Sequence, residues 1–552
     1  MKMLQKALRY YHTVKYLKPI QIYGQIKFRL HKPKVAQIAP PDLARVLAPW
    51  AQPIRKAIKI SGNNEITFLN QSRDVSERTI WSDQTIDKLW LYNLHYFDIL
   101  NSHVSDTLWQ KNLIQRWIDD NPPFAGNGWE PYTISLRIVN WIKFELAGNS
   151  LAPEIRASLA TQVRYLLKRL EIHILGNHFL ANIKALIFAG CFFKGAEAEL
   201  WLKRGVKYLN REIKKQILAD GGHIELSPMY QAIVLEDVLD IFNMLTAFQK
   251  NIPASWLQKS QHMFNWLQTL SHPDHDVAFF NDTTLGVAPT LAELTAYRER
   301  LQLPQADYTH ASLTHLADSG YVRATLDDLT LLADVAAVGA NHQPGHAHAD
   351  SLSFEVSLGQ QRLLVNSGIS TYTTSPQRLK ERGTHTHNTV VVNDSDSTDV
   401  WQSFRVARRA RIRQLQIENT PDYICISAAH DGYAKKYKII HARRWMLGNN
   451  KLIIEDDIRG RRIHKIALHF HLHPAIDVNW LDNKTLQLRN AYGKHLATLQ
   501  ASHAIVVADS TYHPGFNLAV PNKKIIIETV AALPAKFSTT ITWSDDENTI
   551  SN

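Results

Sequence analysis

Apolar residues recur at steps of three and four through the first part of the chain, up to about residue 305. Residues 107–121, 134–148 and 154–174 show this spacing clearly. It places the apolar side chains on one face of a helix and therefore predicts a series of amphipathic α-helices. The connections between them are short and rich in Gly, Asn and Pro. Many successive helices of similar length predict stacked helical hairpins, as a solenoid or a closed toroid.

The pattern changes to a two-residue alternation after residue 312. Residues 320–326, 351–358 and 464–473 alternate in this way and are separated by turn residues. Strands at this spacing are typical of a large antiparallel β-sandwich. The sequence therefore predicts an α+β multidomain protein. We divide it into a basic N-terminal segment, a helical domain and a sandwich, comprising residues 1–75, 76–305 and 306–552.

Charge narrows the choice of partner. The net charge is +11, the isoelectric point is about 9.3, and Asp42 is the first acidic residue. Such a chain favours polyanions such as nucleic acid, anionic lipid or acidic polysaccharide, although a solvated basic face explains the charge equally well. No zinc-finger spacing, basic zipper or ribonucleoprotein motif occurs, so nucleic acid is not expected. The sequence leaves the oligomeric state open.

The cysteine count, the short apolar runs and the N-terminus indicate the cellular location of the protein and its redox chemistry. Cys191 and Cys425 are the only cysteines, which argues against a disulfide framework or a cysteine metal site. The apolar runs are too short to cross a bilayer. The N-terminus has no uninterrupted apolar core and no small-residue cleavage site. We therefore expect a cytoplasmic protein, with periplasmic or exported location as the alternative.

Histidines cluster in the predicted sandwich. In NHQPGHAHADSLSFEV, His346, His348 and Asp350 are two residues apart, and THTHN repeats the spacing at His385 and His387. On a strand this spacing places the side chains on one face. Imidazoles on neighbouring strands can converge on one metal ion, so the two pairs predict a site. The similar alternation in HFHLHP is interpreted as ordinary strand histidines.

The predicted helical domain contains two further candidate stretches. In HILGNHFLAN, Gly176 interrupts the pattern and Asn177 follows where a helix N-cap belongs, so its amide and the free N–H groups would favour an anion. In DGGHIELSPMYQ, Glu225 precedes Ser-Pro and Tyr230 follows it, so Tyr230 is expected near a helix start with its hydroxyl in a cleft. A plain cap and a packed aromatic explain each stretch equally well in isolation.

A third stretch, GWEPYTISLRIVNW, combines stacking and polar side chains. It contains Trp129, Arg137, Asn140 and Trp141, of which a Trp could stack on a sugar ring and the Arg could bind a carboxylate. These residue types suit an acidic saccharide. Core packing explains the tryptophans of the stretch equally well.

Several motifs together resemble one known family. QPGHAHADSLSFEV, RLLVNSGISTY, RGTHTHNTVVVND and VWQSFRVARRARI occur in that order, after GNHFLAN and DGGHIELSPMY. This ordered set resembles the heparinase II/III family of polysaccharide lyases. The N-terminal YYHTVKYLKPIQIYGQIKFRL resembles members associated with bacterial exopolysaccharide or capsule loci. The resemblance implies an incomplete α/α toroid followed by an antiparallel β-sandwich, and β-elimination at a 4-linked uronic acid.

The resemblance implies catalytic roles for four residues. Asn177 would neutralise the uronate carboxylate, with His178 beside it. Tyr230 would protonate the departing O4, and would also act as base when both events occur on one ring face. His346 would be the base for the opposite C5 epimer, or would help to place the carboxylate. An anionic polysaccharide is the implied partner, and the residues expected to contact it are Trp129, Arg137, Asn140, Glu225, Arg378 and Arg382.

The resemblance also implies a structural zinc ion. His348 and His387 match the metal-binding histidines of the family. The third ligand is usually an Asp, and here Asn366 of LLVNSG stands in its place. An amide oxygen binds zinc more weakly than a carboxylate does and leaves one more positive charge on the site. This substitution puts zinc occupancy in doubt, although the expected ligand set remains His348, Asn366 and His387.

Two other functions remain open from the sequence. A uronyl C5-epimerase needs the same proton abstraction, base, acid and carboxylate neutraliser as a lyase. A non-catalytic polysaccharide-binding or assembly factor is favoured by the basic N-terminus and by Asn366. The joint presence of Asn177, Tyr230 and His346 argues against that last function.

Overall fold

The computed structural model describes residues 2–61, 64–103, 106–304 and 311–543. Its α-helices are α1 Lys2–Val14, α2 Pro19–Leu30, α3 Lys88–Tyr96, α4 Thr107–Asp120, α5 Pro131–Leu146, α6 Pro153–Lys168, α7 Gly176–Phe192, α8 Ala196–Gln216, α9 Pro228–Ala247, α10 Ala254–Thr269, α11 Leu291–Arg300, α12 Pro376–Glu381 and α13 Ala434–Tyr437. None of these helices is both long enough and apolar enough to span a bilayer.

The strands lie at the start of the chain and in its second half. They are β1 Lys59–Ser61, β2 Glu65–Phe68, β3 Gln71–Asp74, β4 Leu313–Leu316, β5 Tyr321–Leu326, β6 Leu329–Asp334, β7 Phe354–Leu358, β8 Gln361–Leu364, β9 Val390–Val392, β10 Val400–Trp401, β11 Arg405–Val406, β12 Ile412–Asn419, β13 Ile424–His430, β14 Ile440–Gly448, β15 Lys451–Arg459, β16 Ile463–His471, β17 Ile476–Asp482, β18 Thr485–Asn490, β19 His495–Ala501, β20 Ile505–Tyr512, β21 Val520–Ala532 and β22 Ala535–Thr542.

The helical domain has an inner and an outer set of helices. α5, α7 and α9 are buried along almost their whole length, and α7 packs against both of the other two. α6, α8 and α10 each have one apolar face and cover the inner set. An inner helix must be apolar on all sides, whereas an outer helix needs only a stripe. The predicted incomplete α/α toroid is confirmed.

The second half of the chain is an antiparallel sandwich, as predicted. One sheet has the order β4-β5-β6-β7-β8, another β20-β21-β16-β9, and the largest β12-β13-β14-β15-β22-β19-β18-β17. Side chains from all three sheets share one apolar core. The predicted boundary at 305/306 falls within residues 305–310, which lie outside the described residues.

The two domains meet through the segment between α10 and α11. His272 lies 2.7 Å from Glu355 of β7, and Asp274 binds Arg362 of β8. Further along, Asp282 reaches the loop that follows β6. A segment of the helical domain therefore forms one wall of the sandwich's histidine-rich face.

The strand predicted for His346, His348 and Asp350 is wrong. These residues form a turn-rich loop between β6 and β7, and β7 begins only at Phe354. His385 lies in a short 3₁₀ helix and His387 directly follows it, so neither is in a strand. Pro344 lacks a backbone donor and starts a turn closed by Ala347 N–H. Local turns therefore outweigh the alternation of the side chains.

The start of α7 also differs from the prediction. The cap residue is Leu175, whose φ is +66°, and Gly176 follows with φ +53°. Asn177 therefore lies in the first helical turn and is not the N-cap. A Cβ on Gly176 would come within 2.2 Å of Glu225 Oε1, so only glycine allows this close approach.

Candidate active site

Asn177 and Glu225 form one buried pair at the start of α7. The Asn177 side-chain amide donates to Glu225 Oε1 and Oε2 at 3.0 and 2.9 Å, and its backbone N–H donates to Oε1 at 3.3 Å. Gln343 donates to the same carboxylate at 2.9 Å. Burial alone would raise the pKa of Glu225, but His223, His346 and the Asn177 bonds outweigh burial and lower it. The helix N-terminus therefore already holds an anion from the chain itself.

His178 lies beside this pair and contacts a second carboxylate, that of Glu171. Its Nδ1 is 3.1 Å from Glu171 Oε1, and its ring packs on Tyr132 with the centroids 4.2 Å apart. Burial disfavours the imidazolium, but the charge of Glu171 outweighs burial and raises the pKa of His178. Asn182 donates to the other Glu171 oxygen at 3.0 Å. This network favours a positively charged His178 next to Asn177.

Tyr230 lies at the start of α9, as predicted. Ser227 caps the helix by accepting from the Tyr230 backbone N–H at 3.2 Å, and Pro228 fills the first helical position. The Tyr230 hydroxyl is 3.1 Å from the Tyr372 hydroxyl, and the Tyr230 ring is 4.0 Å from that of His346. Burial, with help from Tyr372, raises the pKa of Tyr230 well above its ordinary value. Tyr230 is therefore a protonated phenol at neutral pH.

Asp282 organises the histidine-rich loop from the helical domain. Its Oδ2 is 2.8 Å from His346 Nδ1, and its Oδ1 is 2.8 Å from His348 Nε2. Arg378 donates to both oxygens at 2.6 and 2.7 Å. Burial alone would raise the pKa of Asp282, but Arg378 and the bonds from both imidazoles hold it well below the usual range. A single ionised carboxylate thus fixes two imidazoles.

Asp282 and Tyr372 belong to the site but were not predicted from the sequence. Asp282 lies in FFNDTTLG, a segment with neither helical nor strand periodicity. Its only signal is a charged residue directly after a buried apolar run, and that signal is weak. Tyr372 ends the motif RLLVNSGISTY, yet nothing in the sequence indicates that its hydroxyl meets Tyr230.

Three residues expected to bind substrate belong to the core. Trp129 is 4% exposed and packs among Trp117, Phe124 and Tyr165. Arg137 is fully buried, donates to Gln162, His95 and Gly128, and lies over the Trp117 ring. Asn140 donates to Tyr96 and Asp98. The prediction that Trp129, Arg137 and Asn140 contact sugar is therefore wrong, because burial and internal bonds occupy their polar groups.

The two predicted arginines are likewise buried. Arg378 is held by Asp282 and by the Ser403 carbonyl, and Arg382 donates to the carbonyls of Ala347 and Gln402. Neither guanidinium is exposed, so direct contact with a sugar acid is contradicted for both. They fix the loops that carry the histidines. Of the six residues predicted to bind substrate, Glu225 alone lies against a predicted catalytic residue.

The residues predicted as metal ligands lie close together, and Asp350 lies beside them. One donor atom from each of His348, Asp350 and His387 lies within 4.8 Å of the others. Asn366 lies behind them, and its Oδ1 is 3.1 Å from His387 Nδ1. His348 Nδ1, Asp350 Oδ2 and His387 Nε2 are buried and have no hydrogen-bond partner among the described residues. Unpaired buried donors of these types fit a divalent ion such as zinc.

Comparisons with known proteins agree with this architecture. Sequence models described as heparinase II/III N-terminus and heparinase II/III-like C-terminal match residues 109–303 and 309–544. A heparin-sulfate lyase of Bacteroides stercoris is 23% identical over 486 residues, covering 81% of this chain and 66% of the relative. The chain thus spans slightly less than two thirds of that relative's length.

The chain is also similar to a protein that is not named as a lyase and to a solved structure. FtsZ-localized protein C of Caulobacter vibrioides is 24% identical over 420 residues, covering 69% of each chain. A crystal structure of heparinase III superimposes with a TM-score of 0.67 at 16% identity, covering 95% of this chain and 89% of that one. At that identity the superposition shows the fold alone. The two sequence models together cover most of the chain, in the order in which the domains occur. The chain belongs to the heparinase II/III family.

Proposed function

We propose that the protein is a polysaccharide lyase that cleaves an acidic, uronate-containing polysaccharide by β-elimination. The observation that carries this proposal is the contact between Tyr230 and His346, with His346 fixed by Asp282. A phenol and an oriented imidazole in contact supply the acid and the base that the reaction requires. The names of the relatives, which include heparin-sulfate lyases, support the substrate class.

His346 is proposed as the base for a uronate whose H5 lies on the same face as O4, in place of the role at the opposite C5 epimer that the resemblance implied. Its Nδ1 faces the ionised Asp282, so Nδ1 carries the proton and Nε2 keeps a lone pair. His346 Nε2 takes H5 of the uronate, and the C5–H electrons form the C4–C5 double bond as the C4–O4 bond breaks. Asp282 then stabilises the imidazolium that forms.

Tyr230 is proposed as the acid. Because its pKa is raised well above the ordinary value, the hydroxyl keeps its proton at neutral pH until O4 departs with negative charge. The Tyr372 hydroxyl, 3.1 Å away, orients Tyr230 and gives its proton a path for return. The high pKa favours Tyr230 as donor and His346 as acceptor.

The contact between the two rings also bears on stereochemistry. Their centroids are 4.0 Å apart, so no sugar ring fits between them. Both groups therefore reach the substrate from one face. In a glucuronate, H5 and O4 lie on the same face of the ring, whereas in an iduronate they lie on opposite faces. We therefore propose glucuronate as the sugar that is cleaved.

Removal of H5 places a second negative charge on the uronate carboxylate, and Asn177 and His178 are proposed to neutralise it. Glu171 holds His178 and raises its pKa, which favours the imidazolium, and Asn177 supplies amide donors. Those donors now bind Glu225, so the substrate carboxylate must replace that partner. The substrate carboxylate carries more negative charge in the transition state than in the ground state. It therefore competes better with Glu225 for the Asn177 donors in the transition state.

A divalent metal would be held by the histidine cluster behind this machinery. His348 and His387 would bind it, and the fixed positive charge would brace the loop that carries His346. The resemblance of the N-terminal stretch supports a role in bacterial exopolysaccharide or capsule metabolism.

The test is ultraviolet absorbance over time with purified protein and a panel of uronate polysaccharides. Hyaluronan, unsulfated heparosan, dermatan and alginate separate glucuronate from iduronate and from other uronates. Absorbance rising from an unsaturated uronate with the glucuronate polymers, but not with dermatan, is expected. A flat trace with deuterium entering C5 from heavy water would replace the lyase with an epimerase. Binding without either signal would favour an assembly factor, as the non-lyase name of the Caulobacter relative also allows.

A further inference from the structure

The histidine cluster contains a carboxylate that the family pattern does not lead one to expect. The metal ligand set implied by the resemblance is His348, position 366 and His387, and position 366 is an Asn in this chain. Asp350 has a ligand atom within 4.8 Å of those of His348 and His387, whereas the Asn366 oxygen lies 3.1 Å from His387 Nδ1, the ring nitrogen that is already hydrogen-bonded. We propose that Asp350 is the carboxylate ligand of a zinc-type ion, replacing the one lost at position 366.

The hydrogen bonds of the two imidazoles support this assignment. His348 Nε2 lies 2.8 Å from Asp282 Oδ1, so it carries the proton and leaves Nδ1 as a lone pair. His387 Nδ1 lies 3.1 Å from the Asn366 oxygen, so it carries the proton and leaves Nε2 as a lone pair. Metal-binding histidines characteristically donate their other ring N–H to a carboxylate or carbonyl oxygen. Both rings have that arrangement here.

The burial of the three residues, and buried atoms that have no hydrogen-bond partner, also support this assignment. His348, Asp350 and His387 are 1, 3 and 1% exposed. The atoms left over, His348 Nδ1, Asp350 Oδ2 and His387 Nε2, find no hydrogen-bond partner within the described ranges. An unsatisfied buried polar atom is costly, and three in one cluster are explained by one cation.

Asn366 therefore has a different part from the one predicted. Its oxygen fixes the His387 ring, and its backbone N–H donates to Glu355 at 2.9 Å. Asp282 binds both His348 and His346, so one carboxylate connects the metal cluster to the proposed base. The ion would consequently stabilise the loop from His346 to Asp350.

The test measures zinc binding by untagged protein, through metal content after dialysis and through competition with a chromophoric chelator. The parent is expected to bind one equivalent. Asp350→Asn is expected to weaken zinc at least about tenfold. Asp431→Asn is the control, because Asp431 is a carboxylate of the same domain that pairs with Arg413 outside the cluster, and it should bind as the parent does. Asp350→Asn binding like the parent, or a parent that binds no zinc, would overturn the proposal.

A second variant keeps the proposal testable if Asp350→Asn does not fold. Asn366→Asp retains an oxygen acceptor for His387 and should fold. With Co²⁺ in place of zinc, its visible absorption bands should match those of the parent, because residue 366 is not a ligand. A changed Co²⁺ spectrum in Asn366→Asp would show that residue 366 enters the coordination shell. The proposal that Asp350 replaces residue 366 as the ligand would then be wrong.

The outer surface of α1 and α2 is both apolar and basic. Large apolar side chains are exposed on both helices, and Tyr23, Ile26 and Leu30 are 58, 54 and 81% exposed. The first 41 residues contain no acid, and Lys27 and Arg29 lie between Ile26 and Leu30 in the sequence. We propose that this basic, apolar face docks on an anionic lipid surface.

The inner faces of the two helices are already anchored. Arg9 of α1 pairs with Asp399 at 2.9 Å. Gly24 of α2 packs against His173, and Arg169 lies over the Phe28 ring at 3.5 Å. The exposed face is thus held outward by contacts to both domains. Aliphatic side chains gain little from a hydrated polysaccharide, whereas a basic helix with an apolar face is typical of an interfacial helix.

Cosedimentation with vesicles tests this second proposal. Binding to vesicles that contain phosphatidylglycerol is expected, with several-fold weaker binding to phosphatidylcholine alone and in high salt. Ile26→Ser with Leu30→Ser should reduce binding several-fold. Val506→Ser with Val530→Ser alters equally exposed apolar residues on the sandwich and should not. Equal binding by the two double variants, or no preference for anionic vesicles, would refute it. Release of bound protein by soluble acidic polysaccharide, with no effect of the helix variant, would likewise refute it, because binding would then not involve the apolar side chains of this face.

Discussion

Asp282 of the helical domain holds His346 of the sandwich at 2.8 Å, and the proposed base therefore depends on the contact between the two domains. The backbone repeats the connection, since the Asp282 N–H donates to the His346 carbonyl at 3.0 Å. Arg378 supplies the positive charge that allows Asp282 to stay ionised while it is fully buried. Domain packing and the proposed proton transfer therefore share one carboxylate.

Asp282→Asn should lower both stability and turnover. The substitution leaves Arg378 buried without a countercharge, and breaking a buried pair in this way costs about 3–5 kcal/mol. Urea unfolding measures the loss. Asp431→Asn is the control, because its pair with Arg413 lies at the surface, with the two side chains 24 and 55% exposed, and should cost about 0–1 kcal/mol. Equal losses in the two variants would contradict the role assigned to Asp282.

Tyr230→Phe should abolish turnover while sparing binding. The variant keeps the ring contact with His346 but has no proton for O4, so a loss of about 10²–10⁴-fold in kcat is expected. Calorimetry with a defined oligosaccharide should show unchanged affinity. Tyr372→Phe removes the hydroxyl partner and keeps the donor, so its loss should be smaller. A Tyr230→Phe enzyme with full activity would assign the acid to another residue.

The sequence predicted those features that depend on local pattern. Helical spacing predicted α4 to α9, and the two-residue alternation predicted many strands of the sandwich, because burial of one face sets both periods. Tyr230 at a helix start was predictable from Ser227 and Pro228, since an N-cap and a first-turn proline act within a few residues.

Features that depend on distant contacts were not predictable. Asp282 reaches His346 across 64 residues of chain, and nothing near Asp282 in the sequence records that contact. The strand predicted at His346 was wrong because turns beginning at Pro344 outweighed the alternation. Trp129 and Arg137 were misassigned because the same residue types serve a sugar site and a core equally well, and only burial separates these uses.

Asn177→Asp should reduce turnover by about 10²–10³-fold at neutral pH. The new carboxyl would lie against Glu225, and two buried carboxyls at that distance share a proton, so the group can no longer neutralise a substrate carboxylate. The control is Asn140→Asp, which likewise puts a carboxyl beside an existing one, Asp98, but in the helical core. Comparable turnover losses at matched folded fractions would mean that Asn177 acts through stability alone.

Glu171→Gln should lower the pKa of His178, because it removes the charge that outweighs burial of the imidazole. The His178 pKa is raised in the folded state, so its stabilisation is present below the unfolded pKa of about 6.5 and is lost as pH rises through the folded pKa. Proton NMR of the imidazole should show the lower titration. Urea unfolding from about pH 6 to 8 should show less decline in stability than the parent shows. Glu145→Gln, which removes an acid paired with Arg156 elsewhere in the same domain, should leave the titration in place. A His178 titration unchanged in Glu171→Gln would mean that another group holds the proton, and His178 would lose its proposed part in neutralising the uronate.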